Sequence, residues 1–336
     1  MVSIRYICAV ALVISAGAGV TTLDSRVSAA DHTEQPFVGH LGPIRGRTAA
    51  VAVDGTTAYV GVGTQLIIVD VADPTGRSVV GWTNESAGDV RDVLVANGYA
   101  YVAAGAAGLR VVDVSYPDSP TEVAAIDTPG TASGLAMAGT SLFVADGGNG
   151  LLIFDVANPA TPVFVGSLEG GDDDVNVFVS GGLAYVASHE DGLRIVDVSV
   201  PSTPTLLGTF SMPGAANDVH VEGPYAFVAA GGAGLIILDV TIPTAPHQVA
   251  AYELPYARSL DVADGHVYLA TERRGVWIVD VTAPLAPTPI SVAATGGSAN
   301  DVVARHGYVY VAVAAEHSGL SVIDVSNPTV PVAVGP

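Results

Sequence analysis

Lysine is absent from this chain of 336 residues, so arginine supplies all 12 basic residues, against 33 aspartates and glutamates. The resulting formal net charge is −21. Such a chain repels phosphate backbones and anionic lipid headgroups. We therefore expect no binding to nucleic acid or to membrane surfaces, and we expect cations, sugars or basic partners instead.

Cysteine is almost absent as well, since Cys8 is the only one. It lies inside an N-terminal apolar stretch that we expect to be removed. The mature chain then has no disulfide, no thiolate metal site and no cysteine nucleophile. Stability must come from the packed core.

The N-terminal residues have the order of a secretory signal peptide. Arg5 precedes an apolar stretch from Tyr6 to Val20, and the small residues Ala29 and Ala30 follow. An uncleaved anchor helix would need a longer apolar run. We predict that residues 1–30 are a signal peptide, and that residues 31–336 form one domain, secreted or at the cell surface and not inserted in the membrane after cleavage.

One short phrase occurs seven times: an apolar run, then Asp-Val, then prolines in most copies. Its aspartates lie 41 to 44 residues apart, within the range of propeller blades. They are Asp70, Asp113, Asp155, Asp197, Asp239, Asp280 and Asp324.

Each unit contains four short strand signals separated by Gly, Asn and Pro turns, which predicts a four-stranded antiparallel blade. Helical repeats are excluded because the windows are rich in Val and Ile and lack a 3.6-residue apolar period. A parallel β-helix usually has shorter coils. We predict an all-β fold, a seven-bladed β-propeller with repeats of about 42 residues.

Two further positions recur in every unit. The second strand carries one aromatic residue, which we interpret as packing between adjacent blades: Tyr59, Tyr101, Phe143, Tyr185, Phe227, Tyr268 and Tyr310. The aspartate of each phrase ends a strand before a turn, where its carboxylate can accept backbone hydrogen bonds.

The strings Leu109–Ser115 and Leu193–Ser199, each followed by paired prolines, resemble the LVIVD-repeat proteins. These are secreted or surface proteins predicted to form β-propellers. The resemblance covers the whole mature chain. The family has no assigned catalytic residues, so the resemblance assigns no role to any position.

Either end of the chain could complete the last blade. Residues 36–41 and residues 331–335 both resemble the outer strands of other units, such as 162–168. We expect the N-terminal strand to help fasten the ring, because closure removes an open sheet edge.

Variation between the units concentrates on the face that carries the loops between strands two and three and the connections between blades. We expect a binding or scaffold module, a monomer, whose extracellular carbohydrate, peptide or protein ligand lies at this mouth of the channel. The candidate ligand-binding residues are Arg91, Tyr256, Arg258, Arg273 and Arg274.

The alternative is a polysaccharide lyase or hydrolase that uses a histidine, glutamate and arginine cluster. Its candidates are His189, Glu190, Glu272, Arg273, Arg274, Glu316 and His317.

An acidic run, Asp172, Asp173 and Asp174, offers oxygen ligands that suit Ca²⁺. It lacks the spacing of an EF-hand loop. We expect no other cofactor.

Asp92, Asp218 and Asp301 begin the first strands of three units, where they either form a polar ring or satisfy backbone groups.

Overall fold

The protein is described by a computed structural model, which covers residues 47–85, 88–170, 173–273, 275–314 and 319–335. The chain divides into Met1–Pro36, which lies outside the described residues, and Phe37–Pro336. The predicted signal peptide therefore lies outside them too. In the described part no helix is long and apolar enough to cross a membrane.

Seven antiparallel sheets of four strands follow one another along the chain. The first three blades contain β1 (Thr48–Asp54), β2 (Thr57–Val62), β3 (Gln65–Asp70) and β4 (Ser78–Trp82); β5 (Asp92–Ala96), β6 (Tyr99–Ala103), β7 (Leu109–Asp113) and β8 (Thr121–Ile126); and β9 (Gly134–Ala138), β10 (Ser141–Ala145), β11 (Leu151–Asp155) and β12 (Val163–Leu168).

The next two blades contain β13 (Asn176–Ser180), β14 (Leu183–Ser188), β15 (Gly192–Asp197) and β16 (Thr205–Phe210); and β17 (Asp218–Glu222), β18 (Tyr225–Ala229), β19 (Leu235–Asp239) and β20 (His247–Tyr252). The last two contain β21 (Ala257–Ala263), β22 (His266–Thr271), β23 (Gly275–Asp280) and β24 (Thr288–Ala293); and β25 (Ser298–Arg305), β26 (Tyr308–Ala314), β27 (Gly319–Asp324) and β28 (Val332–Val334). The prediction of a seven-bladed β-propeller is confirmed.

The repeated aspartates close the turn between the third and fourth strands, as predicted. In all seven blades the carboxylate accepts a hydrogen bond from the N–H two residues later, at 2.8 to 3.0 Å. This is an Asx turn, which directs the chain into the outer strand. The most regular residue of the repeat therefore has a structural role.

The core lies between neighbouring blades. The seven recurrent aromatic side chains are each at most 5% exposed, so the interpretation as packing residues is confirmed. One apolar cluster joins the last blade to the first: Tyr310 and Val322 pack with Val51 and Ile67. Contact between the first and last repeats closes the ring.

The outer strand of the last blade comes from the C-terminal end of the chain. β28 pairs with β27 through Val332, Ala333 and Val334. A Cβ on Gly335 would lie 2.6 Å from the carbonyl oxygen of Pro74 in the first blade, so only glycine fits this closing contact. The predicted N-terminal strand, residues 36–41, lies outside the described residues and stays a prediction.

Candidate functional site

A cavity of about 510 Å³ opens at the mouth of the channel, on the face where variation between the repeats was concentrated. One equivalent position at the start of the first strand of each blade contributes to its wall. These seven residues are Ala49, Arg91, Ser133, Val175, Asn217, Arg258 and Asn300. Loops and connections add Arg47, Gly63, Asp89, Val90, His189 and Tyr256.

The structure brings together four of the residues predicted from the sequence. Arg91, His189, Tyr256 and Arg258 all line the cavity. Glu272 contacts it indirectly, because its Oε1 accepts a hydrogen bond of 2.7 Å from the NH2 group of Arg258.

Other predicted residues do not join this group. Glu190 and Arg273 are exposed and are not among the residues that line the cavity. Arg274, Glu316 and His317 lie outside the described residues, so their predicted roles stay predictions.

His189 has a backbone conformation that is unfavourable for its residue type. Its φ is 25°, whereas the equivalent loop position is a glycine with a φ between 50° and 59° in four other blades: Gly63, Gly105, Gly147 and Gly231. A hydrogen bond of 2.9 Å from the N–H of Ala216 to the carbonyl of His189 holds the loop against the next blade. This blade therefore carries a side chain where those four blades have none.

The arginines of the mouth differ in how far they are already neutralised. Arg258 pairs with Glu272 and lies 5.8 Å from the centre of the Tyr256 ring. Its Nε is buried and has no hydrogen-bond partner among the described residues. Arg47 and Arg91 form no ion pair within the part of the chain that the structure describes. Two guanidinium groups are therefore available to a ligand.

Neutral polar groups complete the wall and connect neighbouring blades. The NH1 of Arg91 donates to the Oγ of Ser133 at 3.3 Å. The side-chain amides of Asn217 and Asn300 donate to the carbonyls of Ala257 and Thr48, each at 2.7 Å. These bonds hold the mouth residues in place on a rigid ring.

A ring of polar side chains lies one residue further along the first strands. The Oδ1 of Asp92 accepts the N–H of Val93, and its Oδ2 accepts the N–H of Leu135 in the next blade, both at 2.7 Å. Asp218 and Asp301 bridge their blades in the same way. Asn176 accepts the N–H of Val177, and its amide donates to Oδ1 of Asp218 in the next blade, both at 2.6 Å. Every inner-edge N–H at this level has an acceptor: Val51, Val93, Leu135, Val177, Val219, Leu260 and Val302.

Burial makes these carboxylates hard to ionise. It raises the pKa of Asp92 to about 7, with a further contribution from the charge of Asp301. Burial also raises the pKa of Asp218 to about 8 and that of Asp301 to about 6. The interpretation of these aspartates as groups that satisfy the backbone agrees with the structure.

A second polar level was not predicted. Asp261 lies two residues beyond Ser259 and accepts hydrogen bonds from the N–H of Ala304 and NH1 of Arg305, both at 2.9 Å, and contacts Nδ1 of His220 at 3.2 Å. Burial opposes ionisation of Asp261, but these donors outweigh it and lower its pKa. The level is otherwise lined by apolar side chains such as Phe178, whose ring centre is 4.6 Å from that of His220.

The acidic run proposed for Ca²⁺ contains a structural ion pair. Arg194, 4% exposed, donates through NH1 to both carboxylate oxygens of Asp174, at 3.0 and 2.8 Å. The hydroxyl of Ser188 donates to the same carboxylate at 2.5 Å. Asp172 lies outside the described residues. The described residues contain no group of three or more carboxylate, histidine or cysteine side chains placed to hold a metal ion, and the calcium site stays a prediction.

Several mouth residues were missed from the sequence: Arg47, Ser133, Asn217 and Asn300. A signal for Ser133, Asn217 and Asn300 existed, because they occupy the position of the repeat that Arg91 and Arg258 also occupy. Arg47 lies two residues before Ala49, the place that Asp89 and Tyr256 hold in their own blades.

The mouth combines several kinds of polar group with apolar surface. It offers guanidinium donors, amide groups, one free carboxylate at Asp89 and one exposed aromatic ring at Tyr256, which is 40% exposed. No hydrogen bond joins the imidazole of His189 to a carboxylate among the described residues.

Comparisons with known proteins agree with the fold. A model of the LVIVD repeat matches residues 45–84, 87–128, 129–169, 172–211, 213–253, 256–295 and 296–336. A search of curated proteins gave no match.

Many solved structures share the architecture at low sequence identity. A functionally unknown protein from Desulfotomaculum acetoxidans is 14% identical, with a TM-score of 0.67 over 81% of this chain and 91% of that one. The RRP9 WD40 repeats are 11% identical, with a TM-score of 0.67 over 83% and 89% of the two chains. The computationally designed Ika8 protein is 10% identical, with a TM-score of 0.63 over 84% of each. At such identities the likeness shows the fold alone.

Proposed function

The chain belongs to the LVIVD repeat family, and from this premise we propose that it is a binding module that holds its ligand at the channel mouth. A β-propeller supports a binding or scaffold role in general, because a rigid ring presents the ends of many strands and loops at one place. The proposal goes further by naming the mouth and its lining residues.

The observation that carries the proposal is the cavity itself. All seven blades contribute to it, and its volume of about 510 Å³ lies within the range of small-ligand sites. Its wall includes polar groups that neighbouring blades hold in position. The unfavourable φ of His189 at the rim supports a functional rather than a structural origin for the wall.

For the ligand we propose an extracellular carbohydrate, peptide or protein segment, bound by a monomer. Export rests on the composition of residues 1–30, and surface acidity fits a chain that must stay soluble outside the cell. Neither nucleic acid nor a membrane surface matches a net charge of −21.

The test is to fill the mouth without altering its charge. Ser133→Trp places an indole in the cavity, while Ser167→Trp makes the same change at an exposed position on the outer strand of the same blade. Glycan and peptide arrays on the mature protein identify a ligand, and calorimetry gives its Kd for each variant.

We expect Ser133→Trp to weaken binding by at least about tenfold, which is about 1.4 kcal/mol, and Ser167→Trp to leave it unchanged. Ala49→Trp, on another blade, repeats the test if the first variant folds poorly. Wild-type affinity in a folded mouth variant contradicts the proposal.

One observation favours a second candidate, a lyase or hydrolase that acts on a polysaccharide. His189 lines the same cavity as Tyr256 and Arg258, so an imidazole, a phenol and a guanidinium face one space. Turnover of uronate-containing polysaccharides, followed by absorbance of unsaturated products or by reducing ends, tests this candidate. Turnover by the wild type that His189→Ala abolishes supports the enzyme candidate. Absence of turnover contradicts the enzyme candidate and favours the binding module.

A further inference from the structure

We infer that the ligand of the mouth carries a carboxylate on a sugar ring, so that the cavity is a site for an acidic monosaccharide unit. The inference rests on the proposed function and specifies its ligand. It follows from where the chain places its few cations and from the polar groups around them.

Cations are scarce in this chain and concentrated at the mouth. The described residues include eight arginines: Arg47, Arg77, Arg91, Arg110, Arg194, Arg258, Arg273 and Arg305. Three of the eight, Arg47, Arg91 and Arg258, line the cavity at the mouth. A net charge of −21 makes the electrostatic potential around the protein repel anions. The three arginines offset this repulsion at the mouth.

Two of these cations have no counterion within the described ranges. Arg47 and Arg91 are exposed at the mouth and form no ion pair with any described carboxylate. Each guanidinium group can present paired N–H donors to a carboxylate, which is the geometry that arginine recognises best. Arg258 is already neutralised by Glu272, so its role is to hold Tyr256 and the wall in place.

The remaining groups match the hydroxyls and ring of a sugar. Asp89 is an acceptor for hydroxyl donors, and Ser133 and Asn217 add neutral polar contacts. The ring of Tyr256 is 40% exposed and offers a flat surface for a pyranose face. A simple inorganic anion would use the arginines alone and would make no use of Asp89 or of the Tyr256 ring.

A pair of sugars that differ only in the carboxylate provides the test. Calorimetry or NMR titration of the mature protein measures Kd for D-glucuronate and for D-glucose at low and high salt. Inorganic phosphate and an acidic dipeptide are the other probes. Arg47→Gln and Arg91→Gln remove charge from the mouth. Arg110→Gln makes the same change on the blade of Arg91, away from the cavity.

We expect D-glucuronate to bind at least about tenfold more tightly than D-glucose, and each mouth variant to lower its affinity by about tenfold. Arg110→Gln should keep wild-type affinity, and high salt should weaken only the charged sugar. Circular dichroism confirms folding of every variant. Arg47 and Arg91 lie on different blades. If only one of the two mouth variants folds, that variant alone tests the inference.

Equal affinity for the two sugars, or mouth variants that bind D-glucuronate as the wild type does, would overturn the inference. Tight binding of phosphate or of the dipeptide without binding of D-glucuronate would also overturn it. The proposed function fails separately: it fails when Ser133→Trp does not affect a bound ligand, whatever the charge of that ligand.

Discussion

The ring of aspartates beneath the mouth predicts that the propeller is most stable in mild acid. Burial raises the pKa of Asp218 to about 8, that of Asp92 to about 7 and that of Asp301 to about 6, from 3.8. Between pH 4 and these values the folded chain binds more protons than the unfolded chain. The free energy of unfolding therefore falls as the pH rises through this range.

The magnitude follows from the buried member of the ring. Asp218 is 7% exposed, and its pKa rises from 3.8 to about 8. One pKa unit corresponds to about 1.4 kcal/mol, so ionising Asp218 in the folded state costs on the order of 5 kcal/mol. For a domain of this size such a loss lowers Tm by on the order of 10 °C. Asp92 and Asp301 act in the same direction.

The assay is thermal unfolding from pH 5 to pH 9 at constant ionic strength. The range begins at pH 5 because the turn aspartates, such as Asp197, have a lowered pKa from their hydrogen bonds and act with the opposite sign in stronger acid. Asp218→Asn tests the origin of the slope, because asparagine cannot ionise. Asp118→Asn, at an exposed position, is the matched control.

We expect the Tm of the wild type and of Asp118→Asn to fall from pH 5 to pH 9, and that of Asp218→Asn to fall clearly less. At pH 5 the Asp218→Asn variant should be about 1–3 kcal/mol less stable, because its amide nitrogen faces the N–H of Leu260 in place of an acceptor oxygen. A wild-type Tm that is flat or rises with pH refutes the reasoning. So does an Asp218→Asn variant that keeps the full slope.

Three further predictions concern single side chains. His189→Gly should raise the free energy of unfolding by about 1 kcal/mol in denaturant titrations and weaken ligand binding at the mouth; a loss of stability contradicts the assigned strain. Gly166→Val should lower Tm, because a Cβ would lie 2.5 Å from a backbone oxygen of the next blade. Gly232→Ala should keep the wild-type Tm, because a Cβ there has no atom within 4 Å. Equal Tm values for the two variants contradict this prediction. Arg194→Leu should lower the free energy of unfolding in chemical denaturation by about 3–5 kcal/mol, because it leaves Asp174 buried without its cation. A loss below about 1 kcal/mol means that the ion pair does not stabilise the blade.

The regular parts of the repeat were readable from the sequence because each blade uses the same residue type at the same place. The aromatic of the second strand, exemplified by Phe143, and the turn aspartates, exemplified by Asp197, each act on neighbours that the period specifies. A period of about 42 residues together with four strand signals then leaves little choice of fold.

The parts that failed to follow from the sequence depend on geometry between blades. Arg91 and Arg258 line the same cavity although 167 positions separate them along the chain. Arg273, on the same blade as Arg258, is exposed outside the cavity. Asp174, grouped with its acidic neighbours as a calcium ligand, instead pairs with Arg194 of its own blade. Which side chains converge on the axis depends on the register at which each first strand enters the channel, and the repeat phrase does not encode it.

The most direct test of the binding site is a crystal structure of the mature protein soaked with D-glucuronate. The account predicts the sugar in the channel mouth, with its carboxylate within hydrogen-bond distance of Arg47 or Arg91 and its ring against Tyr256. A saturating soak that leaves the mouth empty, or that places the sugar elsewhere on the molecule, contradicts it.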